Sequence, residues 1–218
     1  MRVNFEIELE ELSGHIREMG VYIQENYDAL FEAIAQGNED RLFELKKIDR
    51  LMKDMEHQVE SKCLGLLTRQ QPVARDLRRV SAALKCVTDM ERIGDHIADI
   101  AELVLRIEDK NLDDYSNALL SMATVTGKSI RDGVEAFVMR DVELAMKVIA
   151  ADDVIDDYFN EVKMDLVQMM KREQLSVDAC VDIMMINKYL EKIGDHTVNI
   201  AEWEIFQETG NMEDVRLL

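Results

Sequence analysis

The chain has 218 residues and a formal charge of −19, with 45 acidic residues against 26 Lys and Arg. That balance argues against a nucleic-acid partner or a direct hold on anionic lipid, since both need clustered cations to neutralise phosphates. What an acidic surface attracts is metal cations or a basic patch on another protein, where it does more than keep the chain soluble. A single proline, nine glycines and 6% aromatics argue against a turn-rich sheet protein and for helices.

Apolar residues recur at Phe5, Leu9, Leu12, Ile16, Met19, Ile23, Tyr27, Leu30 and Ile34, in alternating steps of four and three. This spacing predicts one long amphipathic helix. Gly37-Asn38 supplies a stop and then an N-cap. The second helix runs through Leu42, Leu45, Leu51 or Met52, Met55, Val59, Cys63 and Leu66 to Gln70-Gln71-Pro72. Pro72 suits the first turn of a third helix, where its missing N–H costs nothing, and that helix is expected to reach about Glu108.

Asn111, with Asp114 three residues on, predicts the cap of a fourth helix, and Asp141 and Ser176 the caps of a fifth and sixth. Short connections make sequential neighbours antiparallel, so the elements are expected to form bundles.

The second half lies over the first at an offset of 103 through two helices, pairing Ile16 with Leu119, Met19 with Met122, Asn38 with Asp141, Asp49 with Asp152 and Val59 with Val162. Beyond Pro72 the offset becomes 100, and Glu91-Arg-Ile-Gly-Asp-His96 lies over Glu191-Lys-Ile-Gly-Asp-His196, each followed by Ile-Ala-Glu. Shared heptads would explain recurrent Leu and Ile, whereas a recurrent Ile-Gly-Asp-His string requires duplication. The predicted fold is therefore all-α, six long helices in two tandem three-helix bundles related by a pseudo-twofold. The expected boundary lies near residues 108–111, giving units 1–108 and 109–218.

Three cysteines, Cys63, Cys86 and Cys180, are widely spaced in apolar surroundings without a CxxC pattern, as expected of reduced core thiols in a cytoplasmic protein. The N-terminus turns acidic at once and offers no apolar stretch of a signal peptide, and no run approaches the ~18 apolar residues of a membrane span.

Chemistry concentrates on the repeated motif. Glu91, Asp95 and Asp99 stand four apart, which at ~100° per residue places them in a stripe roughly 80° wide. Glu102 falls within it, while Met90, Ile93, Ile97 and Ile100 take the other side. The acids are expected to face outward. Such carboxylates on neighbouring antiparallel helices make a multidentate site for iron, manganese, magnesium or zinc. The second helix of each unit is the neighbour, contributing Asp152 and Asp156 in the second half. In the first half Asp49 matches Asp152, but Lys53 stands where Asp156 would be, and Asn199 replaces Asp99. A solvated acidic face balanced by Arg92 and Lys192 is the alternative.

Gly94 and Gly194 interrupt good helices at ~1 kcal/mol each relative to Ala, so close helix packing is expected there. His96 and His196 sit beside the acid stripe and are expected to hydrogen-bond a nearby helix in preference to ligating metal.

Two such units, together with Arg69-Gln-Gln-Pro-Val-Ala-Arg-Asp-Leu-Arg78 leading into the third helix, closely resemble the PhoU family over essentially the whole chain. The resemblance implies a cytoplasmic regulator of phosphate uptake that restrains a phosphate-specific ABC transporter and its two-component sensor kinase, an adaptor and not a catalyst. Its expected partners are the transporter's ATPase subunit, the sensor histidine kinase and a second copy of the chain as a homodimer, with the membrane reached only through partners. It also implies iron or zinc clusters on Glu/Asp-x-x-x-Asp motifs, mapping to Glu91 and Asp95, Asp152 and Asp156, and Glu191 and Asp195, with Asp49 in a degraded first-half motif; Asp99 is a further candidate metal ligand by its spacing in the stripe.

Two other classes compete. A carboxylate-bridged metal-dependent oxidoreductase or metal-storage bundle would use Glu-x-x-His on facing helices; only His57, with Asp54 three before it, comes near that pattern. A purely structural helical scaffold is the third. No Gly-rich phosphate loop, Ser-His-Asp set or Cys-His pair is traceable, so the metal-free chain is expected not to bind phosphate tightly.

Overall fold

A computed structural model describes residues 2–69, 73–107 and 116–210. Among the described residues there are seven helices: α1 (Arg2–Gln36), α2 (Glu39–Leu45), α3 (Asp49–Arg69), α4 (Ala74–Arg106), α5 (Asn117–Met139), α6 (Val142–Lys171) and α7 (Val177–Thr209). They fall into two equivalent triads, α1 with α2–α3 and α4, then α5 with α6 and α7.

The local signals explain where helices start and stop. Asn38 Oδ1 accepts from Arg41 N at 3.1 Å, Asp141 Oδ1 from Leu144 N at 2.9 Å and Ser176 Oγ from Ala179 N at 3.2 Å. Each cap satisfies an N–H that the helix itself cannot. The expected cap at Asn111 and the boundary at 108–111 lie outside the described residues, as does Pro72. Among the described residues Ser116 caps α5, accepting from Ala118 N at 3.2 Å and donating to Asp165 Oδ2 of α6 at 2.8 Å. The stop before α2 is Gly37 with φ +61°, and the equivalent residue before α6 is Arg140 with φ +58°. Both turns close alike, Asn38 N donating to Ala33 O and Asp141 N to Ala136 O, each at 2.9 Å.

One element departs from expectation. The second helix is broken at residues 46–48, where Lys47 N donates to Glu44 O and Ile48 N to Leu45 O, three residues back. Leu42, Leu45 and Ile48 are all buried at spacings of three. A tighter turn of three residues keeps them on one face, which 3.6 residues per turn would not.

The apolar stripe of α1 is buried from Phe5 to Ile34 as its spacing predicts, and Met90, Ile93, Ile97 and Ile100 of α4 are fully inside. These side chains join Leu119, Met122 and Ile130 of α5, Ile155 and Val162 of α6, and Ile183, Ile186, Leu190 and Ile193 of α7 in one continuous core. Each buried Leu, Ile or Met is worth about 1.5–3 kcal/mol. Cys63, Cys86 and Cys180 are free and buried.

The two motif helices α4 and α7 pack on each other more extensively than any other pair. His96 and His196, equivalent in the two halves, meet with ring centroids 5.6 Å apart, so the approximate twofold passes between them. Among the described residues no helix is long and apolar enough to cross a membrane.

Candidate functional site

The repeated glycine positions the acids. A Cβ on Gly94 would stand 2.5 Å from Met52 Cγ of α3, and one on Gly194 would stand 3.0 Å from Ile155 Cδ1 of α6. Met52 and Ile155 occupy equivalent places. Each glycine thus lets a bulky side chain of the second helix lie flat against the third, as the motif predicts. That approach sets Asp49 and Lys53 beside Glu91 and Asp95 in the first half, and Asp152 and Asp156 beside Glu191 and Asp195 in the second.

The stripe consequently does not face outward along its whole length. Glu91 and Glu191 are 7% and 14% exposed at the side chain, whereas Asp95 and Asp195 are 22% and 39% exposed. The stripe faces a groove between two helices, because α3 and α6 cover its inner edge.

In the first groove Lys53 Nζ lies 3.8 Å from Asp49, 3.8 Å from Glu91 and 3.6 Å from Asp95. Arg92 adds contacts of 3.7 Å to Glu91 and 3.6 Å to Asp95. Burial, then Asp95 and Glu56, raise the Glu91 carboxyl, against Arg92 and Lys53. A cleft of about 290 Å³ continues the groove between Lys46, Asp49, Lys53, Asp95, Asp99 and Glu102. Glu102 is bound by Arg106 at 2.6 Å and Lys46 at 3.3 Å. Asp99, more exposed, is 3.7 Å from His96 Nδ1.

The second groove has no counterpart of Lys53. Asp156 takes its place, and the flanking cations Lys188 and Lys192 both belong to α7. Lys188 Nζ is 2.6 Å from Glu191, and Lys192 pairs closely with Asp195 and reaches Glu191 at 3.5 Å. Asp152 is pushed up to about 6 by burial, then by Asp195, Asp156 and Glu191. Asp156 is raised by burial and then by Glu191 and Asp195. Mutual repulsion of this kind is relieved by a proton or by a cation.

As placed, no three carboxylate, imidazole or thiol groups among the described residues converge closely enough to hold a metal ion. By donor chemistry the two grooves differ. The second groove offers four oxygen-donor acids, the donor type a hard or borderline metal takes, with Lys188 and Lys192 of α7 against Glu191 and Asp195 and no lysine contributed by α6 to the four acids. The first groove does not fit one, because an ammonium already lies against its three carboxylates.

Sequence reasoning missed Asp89, a residue through which the two halves are hydrogen-bonded. Asp89 Oδ1 lies 2.8 Å from His196 Nδ1 and accepts from Asn199 Nδ2 at 3.0 Å. The residue equivalent to Asp89 is Tyr189, whose ring stacks on His96 at 5.1 Å. So His196 bonds the neighbouring helix as expected, whereas His96 is held by ring stacking and its buried Nδ1 has no hydrogen-bond partner. The signal available was the mismatch of Asp89 with Tyr189 inside an otherwise matching block. His57, exposed, faces Glu60 at 3.4 Å on its own helix.

The family model for the PhoU domain matches residues 16–104 and 119–203, once in each half. The chain is 32% identical over 212 residues to a phosphate-specific transport system accessory protein PhoU homolog of Clostridium acetobutylicum, covering 97% of both chains. Its fold superposes on the crystal structure of the phosphate transport system regulatory protein PhoU from Streptococcus pneumoniae with a TM-score of 0.89 at 26% identity, covering 97% of this chain and all of that one. The crystal structure of PhoU from Pseudomonas aeruginosa gives a TM-score of 0.84, also at 26% identity, over 95% of this chain and all of that one. With a PhoU domain in each half and a relative of this likeness over nearly its whole length, the chain belongs to the PhoU family.

Proposed function

We propose that the protein is a cytoplasmic regulator of phosphate uptake, an adaptor that restrains a phosphate ABC transporter through its ATPase subunit and keeps the partner sensor histidine kinase quiet when phosphate is plentiful. The observation that carries this is the match over 97% of both chains to a relative named as an accessory protein of the phosphate-specific transport system. An adaptor in place of a catalyst is supported by the name of that relative, an accessory protein of a transport system.

Asp152, Asp156, Glu191 and Asp195 are the residues that hold iron or zinc in this proposal, and the ion supplies the positive charge that ends their mutual repulsion. The acids orient the site, and Gly194 keeps α6 and α7 close enough for both helices to contribute. A homodimer completes the proposal, checked by sedimentation of the purified chain.

The test is complementation. Cells lacking the gene and grown in excess phosphate are expected to derepress phosphate-uptake genes, and the chain to restore repression while Asp95→Ala with Asp195→Ala does not. Full repression by that double variant would leave a plain helical scaffold as the better account. Pull-down of the transporter ATPase and the sensor kinase by the purified chain is the biochemical counterpart. Rapid oxygen consumption on adding ferrous iron would instead favour a metal-dependent oxidoreductase.

A further inference from the structure

We propose that Lys53 is the resident cation of the first groove, so that the chain takes a metal ion in only one of its two equivalent acidic grooves. For the second groove this rests on the function proposed above; for the first it rests on geometry within this chain.

The two grooves are the same four positions occupied differently. Asp49, Lys53, Glu91 and Asp95 correspond to Asp152, Asp156, Glu191 and Asp195. One position changes from aspartate to lysine, and that lysine Nζ lies within 4 Å of all three remaining carboxylates. Its separations of 3.6–3.8 Å are those of an ion pair shared among three acids, not of a hydrogen bond to one. At these four positions three carboxylates therefore face two cations in the first groove, Lys53 and Arg92, whereas four face two in the second.

The origin of the cations matters more than their number. In the second groove Lys188 and Lys192 both lie on α7 and ion-pair with Glu191 and Asp195 of that helix. Lys188 also reaches α6, lying over the Phe159 ring at 5.3 Å and drawing the Asp156 carboxyl down against the rise that burial causes, but neither lysine forms an ion pair that joins the two helices. In the first groove Lys53 comes from the opposite helix, α3, and links Asp49 of its own helix to Glu91 and Asp95 of α4. Bridging acids on two helices is what a metal would do there. A metal ligated by those oxygens at ~2.0–2.6 Å would lie beside the ammonium, and the two like charges would repel at close range.

The tandem repeat is thereby functionally unequal. The first half is locked by a covalently attached cation and is indifferent to metal supply; only the second half can respond to it.

The test is zinc binding by the full chain, stripped with chelator and equilibrated with Zn²⁺ alone, read by elemental analysis after dialysis. Glu191→Gln with Asp195→Asn is expected to abolish the bound zinc, and Glu91→Gln with Asp95→Asn to leave it unchanged. Lys53→Asp is expected to bind additional zinc, an increment lost when Glu91→Gln and Asp95→Asn are added to it, while Lys53→Arg binds as the parent does. Loss of parental zinc on changing Glu91 and Asp95, or a folded Lys53→Asp protein binding no more zinc than the parent, would overturn the proposal.

If the parent binds zinc in neither groove, the metal part of the proposed function fails, and thermal unfolding in EDTA decides the role of Lys53. Lys53→Met is then expected to lower Tm by about 2–4 °C, with most of the loss recovered when Glu91→Gln is added. An unchanged Tm in Lys53→Met would overturn it.

Discussion

Asp89 of α4 and His196 of α7 join the two halves, with Oδ1 and Nδ1 2.8 Å apart and Asn199 donating to the same oxygen at 3.0 Å. The carboxylate is 14% exposed, so removing it strands two donors in a place water reaches poorly. Asp89→Ala is expected to destabilise the protein by about 1–3 kcal/mol in urea unfolding. A cycle with His196→Ala is expected to show coupling of at least ~0.5 kcal/mol, whereas additive losses would mean the contact carries no energy of its own.

Gly94 and Gly194 are expected to differ in their tolerance of alanine. At Gly94 the added carbon would stand 2.5 Å from Met52 Cγ, an atom in the middle of a buried side chain. At Gly194 it would stand 3.0 Å from the terminal Ile155 Cδ1. Gly94→Ala is expected to cost about 1–3 kcal/mol of overpacking, offset in part by ~1 kcal/mol of helix propensity, and Gly194→Ala less. Chemical denaturation of the two variants checks the order.

Glu204 of α7 is fully buried, with Gln207 Nε2 donating to it and its other oxygen without a partner. Burial pushes its carboxyl up to about 8, partly countered by Gln207. A carboxyl with a folded pKa above its unfolded value stabilises fully below about pH 4.5, and that contribution is lost as pH rises to about 8. Glu204→Gln is expected to flatten the fall of Tm between pH 5 and pH 9 and to exceed the parent in stability at pH 9 by about 1–3 kcal/mol. Parallel melting curves across that range would contradict it.

Asp152 follows the same sign over a narrower window. Its carboxyl moves from an ordinary 3.8 to about 6, so the folded state holds the proton more tightly than the unfolded chain. Its contribution is present below about pH 4 and lost by about pH 6. In chelator, Asp152→Asn is expected to raise stability at pH 8 by about 1 kcal/mol, after allowance for solvent screening, and to leave it nearly unchanged at pH 4. Urea midpoints at the two pH values measure this.

What the sequence by itself determined was local or repetitive. The helical period of α1, the caps Asn38, Asp141 and Ser176, and the doubled Ile-Gly-Asp-His block depend on residues within a few positions of one another, or on identity at a constant offset. Tertiary structure decided three things that distance along the chain does not encode. It tightened the turn at 46–48 to keep Leu45 and Ile48 inside, sank Glu91 and Glu191 into grooves, and brought Lys53 to three acids and His196 to Asp89. The physical reason is docking. How deeply α3 lies on α4, and α4 on α7, is set by which side chains interdigitate across the contact, and a shift of a few ångströms there separates an open acidic face from one closed by a lysine.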